Sequence, residues 1–417
     1  MPSRHPVVAL WRNRDFAILW SGQAVSELGS AMSALVLPLI SYSITGSAAK
    51  AGLATSAVLL GSVVVGLPAG VLVDRWSRRR VLLAASTTCA LLYGSLAAAA
   101  LTSHLTLAHL MIAGFLGGAA ESFHEPASSA AVRTIVPAEQ LPVAFTQLLA
   151  RSHAAQLMGP PLGGALYSVS RGLPFVVDSV SYAVSALATT RLRTPLPAPR
   201  REAESRGFFA DVREGLGFVW REPVIRAIMI WASAFNFAVG FVLVAVTLRL
   251  VRADVHPAAI GAVDAIAAGS ALVGAMVAPW LLSRVRTGAM TTVTGLLLAA
   301  LVIPIAWTNN VVVIGALLAV GFFLMPANNS GISAYMASVV PDRLQGRVHS
   351  GIGFVASGVV PIAPALAGVL IATIGGRSTS LIGAAFVAMS LVPLLLSPAI
   401  RGLGRPDSWA KPVHRES

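Results

Sequence analysis

Charged side chains are scarce in this sequence. They make up 11% of its 417 residues, against roughly 25% in ordinary soluble domains. Hydrophobic residues make up 56%, and the mean hydropathy is +0.76. This balance excludes an ordinary soluble globular protein and indicates a polytopic membrane protein. At about 20 apolar residues per membrane-crossing helix, the length allows roughly a dozen spans and leaves no room for a soluble domain.

Cysteine and acidic residues are scarce as well. Cys89 is the single cysteine and lies in an apolar run, so a disulfide within the chain is excluded and a buried thiol is expected. The 17 acidic residues are outnumbered by 30 basic ones, which gives a formal net charge of +13. In a soluble protein that excess would favour nucleic-acid binding, but here the basic residues fall almost entirely between apolar runs. We therefore expect no nucleic-acid partner.

Signatures of nucleotide use and of catalysis are missing too. The sequence contains no G-x-x-x-x-G-K-[ST] loop that would support ATP-driven transport. It also contains no His-Glu-x-x-His zinc motif, no paired intramembrane aspartates and no Ser-His dyad at a readable spacing. We therefore expect neither an enzyme nor a bound cofactor or metal.

Apolar runs of membrane-spanning length recur twelve times. They cover residues 16–42, 51–73, 81–101, 105–131, 143–169, 173–192, 224–248, 257–282, 289–307, 311–335, 348–374 and 378–399. Backbone groups in hydrocarbon must form their hydrogen bonds within the segment, so continuous runs predict helices, whereas a membrane β-barrel would show short alternating stretches. The predicted fold class is an all-α membrane protein with twelve transmembrane helices.

Basic residues are divided unequally between the two sets of loops. The two termini and the loops on the same side hold 25 of the 30, in a count that assigns Arg151 to the loop before the fifth run. Because Lys and Arg accumulate on the cytoplasmic side, we predict that both termini are cytoplasmic. The strong preference for arginine over lysine, with abundant Ala and Gly, is typical of a GC-rich bacterial genome. The predicted location is the bacterial cytoplasmic membrane.

The longest polar stretch, residues 193–222, separates two sets of six runs. The predicted domains are therefore 1–192, this cytoplasmic linker, and 223–417 with a short cytoplasmic tail. The linker begins rich in Pro and Arg and then becomes amphipathic from residue 208 to 220. Two interpretations are equally favoured: the amphipathic part lies along the cytoplasmic membrane surface, or it is a solvated tether.

Parts of the first half recur in the second. Val136-Pro137 recurs as Val340-Pro341, and the segment that begins Gly159-Pro160-Pro161 aligns with Ala363-Pro364-Ala365, both at an offset of 204. A constant offset near half the chain length predicts two pseudo-symmetric six-helix bundles. In transporters with such repeats, the substrate site lies between the halves near the bilayer midplane.

The loop after the second run carries the most specific motif. Its sequence, from Gly70 to Arg80, closely resembles the G-x-x-x-D-R-x-G-R-R signature of the major facilitator superfamily, with Ser77 in place of the usual glycine. In that family such a loop pairs with a carboxylate of the fourth span and with the start of the eleventh span when the protein opens outward. The resemblance implies a conformational gate at Gly70, Asp74, Arg75, Arg78, Arg79 and Glu125.

A second motif lies in the fifth run. Gly159, Pro160, Gly163 and Gly164 resemble the end of the motif found in antiporters of that superfamily, although Thr146 and Ala155 replace its upstream glycines. The alternative is purely structural, because Pro and small residues let helices bend and approach one another closely.

Three further segments resemble the branch of enterobactin exporters and macrolide-efflux proteins. They are Arg12–Phe16, Asp211–Val219 and Val340–Val348. The arginine that drug antiporters carry in the fourth span is replaced here by Ala113 or Gly114, so a proton-transfer role for it cannot be carried over.

Acidic residues within the runs are candidates for proton coupling or substrate binding, because a charge in hydrocarbon is costly. The candidates are Glu27, Glu121, Asp178 and Asp264. Glu27 lies about 16 Å into the first run and has apolar neighbours in sequence. Glu121 shares one face of the fourth run with His124 and Glu125. Asp178 and Asp264 lie near the outer ends of their runs, where a solvated role is the favoured interpretation.

Other polar residues within the runs are candidates for lining a cavity. They are His153, Gln156, Asn236, Asn328 and Asn329. The alternative for each is a hydrogen bond between helices.

These observations favour a secondary active transporter. We expect a proton-coupled exporter of small amphipathic molecules, such as a drug, antibiotic, siderophore or secondary metabolite, that works by alternating access. An uptake permease for a nutrient is the alternative, and a membrane scaffold or intramembrane enzyme is disfavoured. The expected partners are a small-molecule substrate, protons and membrane lipid, with the protein a monomer.

Overall fold

The computed structural model describes residues 10–73, 75–197, 208–397 and 403–405, and these residues contain helices and no strand. The predicted all-α class is confirmed. The helices are α1 (Arg14–Thr45), α2 (Ala48–Val73), α3 (Arg78–Leu101), α4 (Leu107–Glu121), α5 (His124–Ile135), α6 (Leu141–Val169), α7 (Leu173–Thr190), α8 (Phe208–Arg221), α9 (Pro223–Arg252), α10 (Pro257–Arg284), α11 (Thr287–Ile305), α12 (Val311–Phe323), α13 (Met325–Val339), α14 (Asp342–Gly358), α15 (Ile362–Ser390) and α16 (Val392–Leu396).

Nine helical stretches in the described part of the chain are long and apolar enough to cross a membrane. One of them, Arg347–Leu396, covers both the eleventh and the twelfth predicted runs. The fourth run is divided between two helices, and the fifth, α6, carries several polar residues. Every predicted run therefore overlaps described helices, and the last two residues of the final run, 398 and 399, lie outside the described part of the chain.

Several predicted spans are broken rather than continuous. The fourth run is interrupted between Glu121 and His124, and the tenth is interrupted at Leu324, the corresponding place in the second half. Glu121 belongs to α4 and His124 and Glu125 to α5, yet the backbone between them keeps right-handed helical angles and all three side chains line the same cavity, as their spacing predicts. Helix α15 contains non-helical backbone at Gly375, whose φ of 82° favours glycine. This residue lies between the predicted eleventh and twelfth runs.

Contacts between residues divide the chain into two units. The first comprises Met1–Ala203, Thr247–Ala265 and Pro364–Ala372, and the second comprises Glu204–Val246, Ile266–Ala363 and Thr373–Ser417. Cys89 is buried in an apolar cluster of the first unit, as expected for a lone thiol.

Local hydrogen bonds fix the beginning of α1 in the first unit. Asn13 caps the helix by accepting from the backbone N–H of Phe16 at 3.2 Å, and its amide donates to the carbonyl of Ile135 at 2.9 Å. The Asp15 carboxylate accepts from the backbone N–H and the hydroxyl of Thr194, at 2.7 and 2.6 Å. The start of α1 is thereby joined to the segment that follows α7.

Helix α8 of the second unit packs on α14. A Cβ atom added to Gly215 would lie 2.6 Å from the carbonyl carbon of Arg347, and Val219 is fully buried. Glu214 and Arg347 form an ion pair at 2.6 Å. This face of the amphipathic segment is covered by protein, whereas Trp220 on the same helix is exposed. A position of this helix along the membrane surface stays a prediction.

Candidate functional site

Helix α1 presents a row of polar side chains to the interior of the first unit. Gln23, Glu27, Ser30 and Ser33 follow one another at three- and four-residue intervals, which places them on one face of the helix. Helices α6 and α7 pack on either side of this face. The row is therefore within reach of polar residues from both neighbours.

Arg151 of α6 binds two residues of that row. Its Nη2 and Nε atoms donate to the two carboxylate oxygens of Glu27, at 2.6 and 3.1 Å. Its Nη1 donates to Oε1 of Gln23 at 2.9 Å, and the Ser128 hydroxyl donates to the same oxygen at 2.7 Å. Arg151 is buried, and its planar fork suits a carboxylate. The expected apolar surroundings of Glu27 are wrong, because its charge is balanced by an arginine.

The glycine-proline motif of α6 brings this arginine close to α1. A Cβ atom at Gly163 would lie 2.7 Å from the carbonyl oxygen of Met32, and one at Gly159 would overlap Ala31. On the other side of α6, a Cβ atom added to Gly164 would overlap the backbone of Pro257. Helix α6 continues through Pro160 to Val169. The motif thus permits close helix packing, as its structural interpretation predicts.

Glu121 lies in a cage of hydroxyl groups. Its Oε1 accepts from Tyr182 at 2.6 Å and from Tyr93 and Ser30 at 3.2 Å each. The two tyrosine rings stack with centroids 5.8 Å apart. These hydroxyls come from α1, α3 and α7, so the end of α4 is held by three other helices.

Asp178 is the most deeply buried of the candidate acids. Its side chain has no exposed surface, which contradicts the expected solvated role. Oδ2 accepts from the Ser33 hydroxyl at 2.5 Å, and Oδ1 accepts from Ser181 at 3.3 Å. An added Cβ at Gly29 would lie 2.5 Å from Oδ1. The small residue on α1 therefore makes room for the carboxylate.

A cavity of about 500 Å³ opens beside these residues within the first unit. This volume falls in the range of roughly 300–1,000 Å³ that small-molecule sites occupy. Its polar wall includes Glu27, Glu121, Glu125, Arg151 and Gln156, and its apolar wall includes Ala31, Phe145, Leu148, Leu149 and Ala155. The cavity can therefore contact a molecule that has both a charged and an apolar part.

Of the other predicted candidates in the first unit, one lines the cavity and two do not. His153 is exposed and is not among the residues that line this cavity, whereas its predicted companion Gln156 lines it and donates to the Ser152 hydroxyl at 3.5 Å. Asp264 on α10 is half-buried and outside the cavity wall.

The asparagine candidates lie in the second unit. Asn236 and Asn329 are exposed. Asn328 is buried, yet neither its Nδ2 nor its Oδ1 atom forms a hydrogen bond within the described part of the chain. The described residues therefore give Asn328 no hydrogen bond between helices.

The gate motif is described only in part, because Asp74 lies outside the described residues. Arg78 donates to the Thr134 hydroxyl at 3.1 Å, and Arg79 donates to the Thr190 carbonyl at 2.5 Å. Arg75 is exposed, Gly70 is half-buried, and Glu125 lines the cavity. Glu125 lies in the first turn of α5 and Thr134 in its last turn. In this conformation Arg78 therefore contacts the opposite end of α5 from Glu125.

Sequence reasoning missed Arg151, Gln23 and the two tyrosines. Arg151 was assigned to a loop, although it falls well inside the fifth run, and a basic residue within a span is itself a signal of function. Gln23 and Glu27 are one turn apart, and this spacing could have revealed a shared partner. No sequence pattern indicates that Tyr93 and Tyr182 meet at Glu121.

The helices and the cavity define a polytopic membrane transporter, and comparisons with known proteins agree. The sequence model of the Major Facilitator Superfamily matches residues 19–362. The chain belongs to this superfamily, and it is a multi-pass cell-membrane protein.

Two relatives carry efflux names. Macrolide efflux protein A of Streptococcus pyogenes is 25% identical over 228 residues, which are 54% of this chain and 56% of the relative. The chain therefore matches little more than half the length of that protein. Multidrug efflux pump Tap of Mycolicibacterium fortuitum is 26% identical over 393 residues, covering 91% and 92% of the two chains. Among solved structures, nucleoside transporter NupG has a TM-score of 0.72 at 14% identity, covering 93% of this chain and 98% of that one. The similarity to NupG shows that this chain has the same fold.

Proposed function

We propose that the protein is a proton-coupled exporter of small amphipathic molecules, with cationic molecules favoured. The observation that carries this proposal is the cavity of the first unit, which is lined both by carboxylates and by apolar side chains. The efflux names of the two sequence relatives support export, and the first of them favours macrolides as a substrate class.

Amphipathic substrates suit the composition of the cavity wall. Phe145, Leu148 and Leu149 offer apolar contact area, while Glu27 and Glu125 offer negative charge to a protonated amine. A strongly polar solute would leave the apolar wall without a partner. An apolar solute would in turn make no use of the negative charge that Glu125 brings to the cavity.

Proton coupling is supported by the cost of keeping acids inside a membrane protein. Glu27, Glu121 and Asp178 are all held within the first unit, and such residues are rare unless they serve ion or proton pathways. A proton and a cationic substrate that exclude one another from the same cavity produce antiport. Downhill proton entry then drives substrate out.

Alternating access requires a switch between two arrangements of the bundles 1–192 and 223–417. We propose that the gate for this switch consists of Glu125 and of the motif around the loop after α2. The motif contributes Gly70, Asp74, Arg75, Arg78 and Arg79. Opening and closing would exchange partners such as Thr134, which Arg78 holds here. The close packing of α6 at Gly159 and Gly163 gives the first bundle a rigid α1–α6 pair that can move as one body.

A susceptibility assay with a substrate panel tests this function. The chain is expressed in a bacterium that lacks its own drug exporters, and growth is measured with macrolides, lipophilic cations and siderophores. We expect resistance to cationic amphipathic members, and its loss when a protonophore collapses the gradient. The variant Glu139→Gln, at an exposed position, serves as the matched control for acid-to-amide changes. Increased sensitivity or nutrient-dependent growth, instead of resistance, would indicate uptake and contradict the proposal.

A further inference from the structure

Three acids of the first unit, Glu27, Glu121 and Asp178, have different partners. Glu27 is the acid that carries an ion pair, and all three nitrogen atoms of Arg151 are engaged by Glu27 and Gln23. Glu121 and Asp178 form no ion pair within the described part of the chain, and their hydrogen-bond partners are hydroxyl groups. Of these three acids, one is therefore neutralised and two lack a counter-charge.

This difference determines which acid can release and regain a proton. Protonation of Glu27 would leave the fork of Arg151 buried without its carboxylate, which is costly. A hydroxyl, in contrast, is both donor and acceptor, so it can rotate to match either state of a neighbouring carboxyl group. The hydroxyl groups around Glu121 and Asp178 can therefore form hydrogen bonds with either the protonated or the deprotonated carboxyl group.

The geometry also places the partners of the two acids one helical turn apart. Ser30, which contacts Glu121, and Ser33, which contacts Asp178, lie one turn apart on α1. On α7, Tyr182 and Asp178 are likewise one turn apart, and Tyr182 lies 2.6 Å from the Ser30 hydroxyl. Because α7 begins at Leu173 on the predicted outer side, Asp178 is the outer member and Glu121, at the cavity wall, the inner one.

We propose that Glu121 and Asp178 form a proton-carrying pair that is separate from the Glu27–Arg151 ion pair, which receives the charged part of the substrate. This division rests on the proposed function. A proton leaves the carboxyl group of Glu121 for water in the cavity, and the surrounding hydroxyls then donate to the carboxylate. Asp178, loaded from the outer side, then returns a proton to Glu121, whose hydroxyl partners Ser30 and Tyr182 lie one helical turn from Ser33 and Asp178.

Other titratable and charged groups surround this pair. Besides the two tyrosines, they are Cys89, His124, Glu125, Glu27 and Arg151. His124 lies 3.5 Å from the Ser86 hydroxyl, and its ring is 5.6 Å from that of Tyr182. The test must therefore identify carboxyl groups specifically rather than total proton uptake.

Infrared difference spectroscopy provides this readout. The full chain is reconstituted in liposomes, and the carbonyl band of protonated carboxyl groups is compared between acidic and alkaline buffer without any substrate. We expect a band that decreases on alkalinisation, that is weakened in Glu121→Gln and in Asp178→Asn, and that persists in Glu27→Gln and Glu139→Gln. Glu121→Asp keeps a carboxyl group and should retain a shifted band if the amide variant fails to fold.

Persistence of the full band in the double variant Glu121→Gln/Asp178→Asn, or its loss in Glu27→Gln, would overturn the proposal. A transport measurement separates this outcome from failure of the proposed function. The rate of erythromycin transport with a pH gradient is divided by the rate without one. We expect this ratio to fall to one in Glu121→Gln and Asp178→Asn and to stay above one in Glu27→Gln, whose KM should rise. A ratio of one in the unmodified protein would instead contradict proton coupling itself.

Discussion

Arg151 holds both carboxylate oxygens of Glu27, with its Nη2 atom 2.6 Å from Oε1 and its Nε atom 3.1 Å from Oε2. The arginine is almost fully buried, whereas about a third of the glutamate side chain is exposed, at 35%. The pair therefore presents a carboxylate to the cavity while its cation remains inside the protein. A cationic substrate can approach the carboxylate from the cavity side.

Replacing one member of this ion pair should destabilise the protein more than replacing both members. Arg151→Gln leaves the Glu27 charge without a partner, so we expect the free energy of unfolding to fall by about 1–3 kcal/mol, since the pair is partly buried. The double variant Glu27→Gln/Arg151→Gln should recover much of that loss. Thermal unfolding in detergent measures both. Additive losses in the double variant would show that the two side chains do not stabilise one another.

Close packing of α6 on α1 should make Gly163 intolerant of any side chain. The methyl group of Gly163→Ala would meet the carbonyl oxygen and the Cα atom of Met32 at 2.7 and 2.9 Å, and backbone atoms cannot rotate away. We expect a loss of about 1–3 kcal/mol in the free energy of unfolding. Gly353→Ala is the matched control, because its helical position has open space around it. Equal unfolding temperatures for the two variants would contradict this packing.

The attachment of α8 to α14 should depend on packing more than on charge. The ion pair between Glu214 and Arg347 is half-exposed, so Glu214→Gln should cost only about 0.2–1 kcal/mol. Gly215→Val, in contrast, places a branched side chain against the backbone of Arg347 and should detach the helix. Limited proteolysis of the linker would detect detachment. Faster cleavage in Glu214→Gln than in Gly215→Val would show that the ion pair contributes more to this attachment than the packing does.

The start of α1 should depend on the Asp15 carboxylate. It accepts from the backbone N–H groups of Arg193 and Thr194 and from the Thr194 hydroxyl. Hydrogen bonds to a charged group contribute about 1.5–3 kcal/mol, so Asp15→Ala should lower the free energy of unfolding by at least that amount. The measurement is thermal unfolding, with Glu139→Gln as the exposed control. An unchanged unfolding temperature would show that these bonds add nothing to stability.

Much of the fold could be predicted from the sequence because membrane spans reflect composition over long windows. The twelve apolar runs overlap described helices, and Gly375 interrupts α15 between the last two predicted runs. The division of the fourth and tenth runs into two helices each could not be predicted in this way. At Ser122 and Leu324 the backbone keeps right-handed helical angles, so no unusual backbone position marks these divisions.

The candidate site was only partly predictable, because partners in it come from distant parts of the chain. Glu27 and Glu121 were identified as acids inside runs, but their partners Arg151 and Tyr182 lie 124 and 61 residues away. Asp178 was expected near water on the basis of its distance from a helix end. Its burial depends instead on Gly29, a residue of another helix that leaves space for it.

Proton-driven export requires that substrate and protons cross the membrane in opposite directions. The purified chain is reconstituted in liposomes, a pH gradient of either direction is imposed, and movement of erythromycin across the membrane is followed. We expect erythromycin to move opposite to the flow of protons, to reverse direction when the gradient is reversed, and not to accumulate once a protonophore is added. Accumulation that ignores the gradient, or movement in the same direction as protons, would contradict proton-driven export.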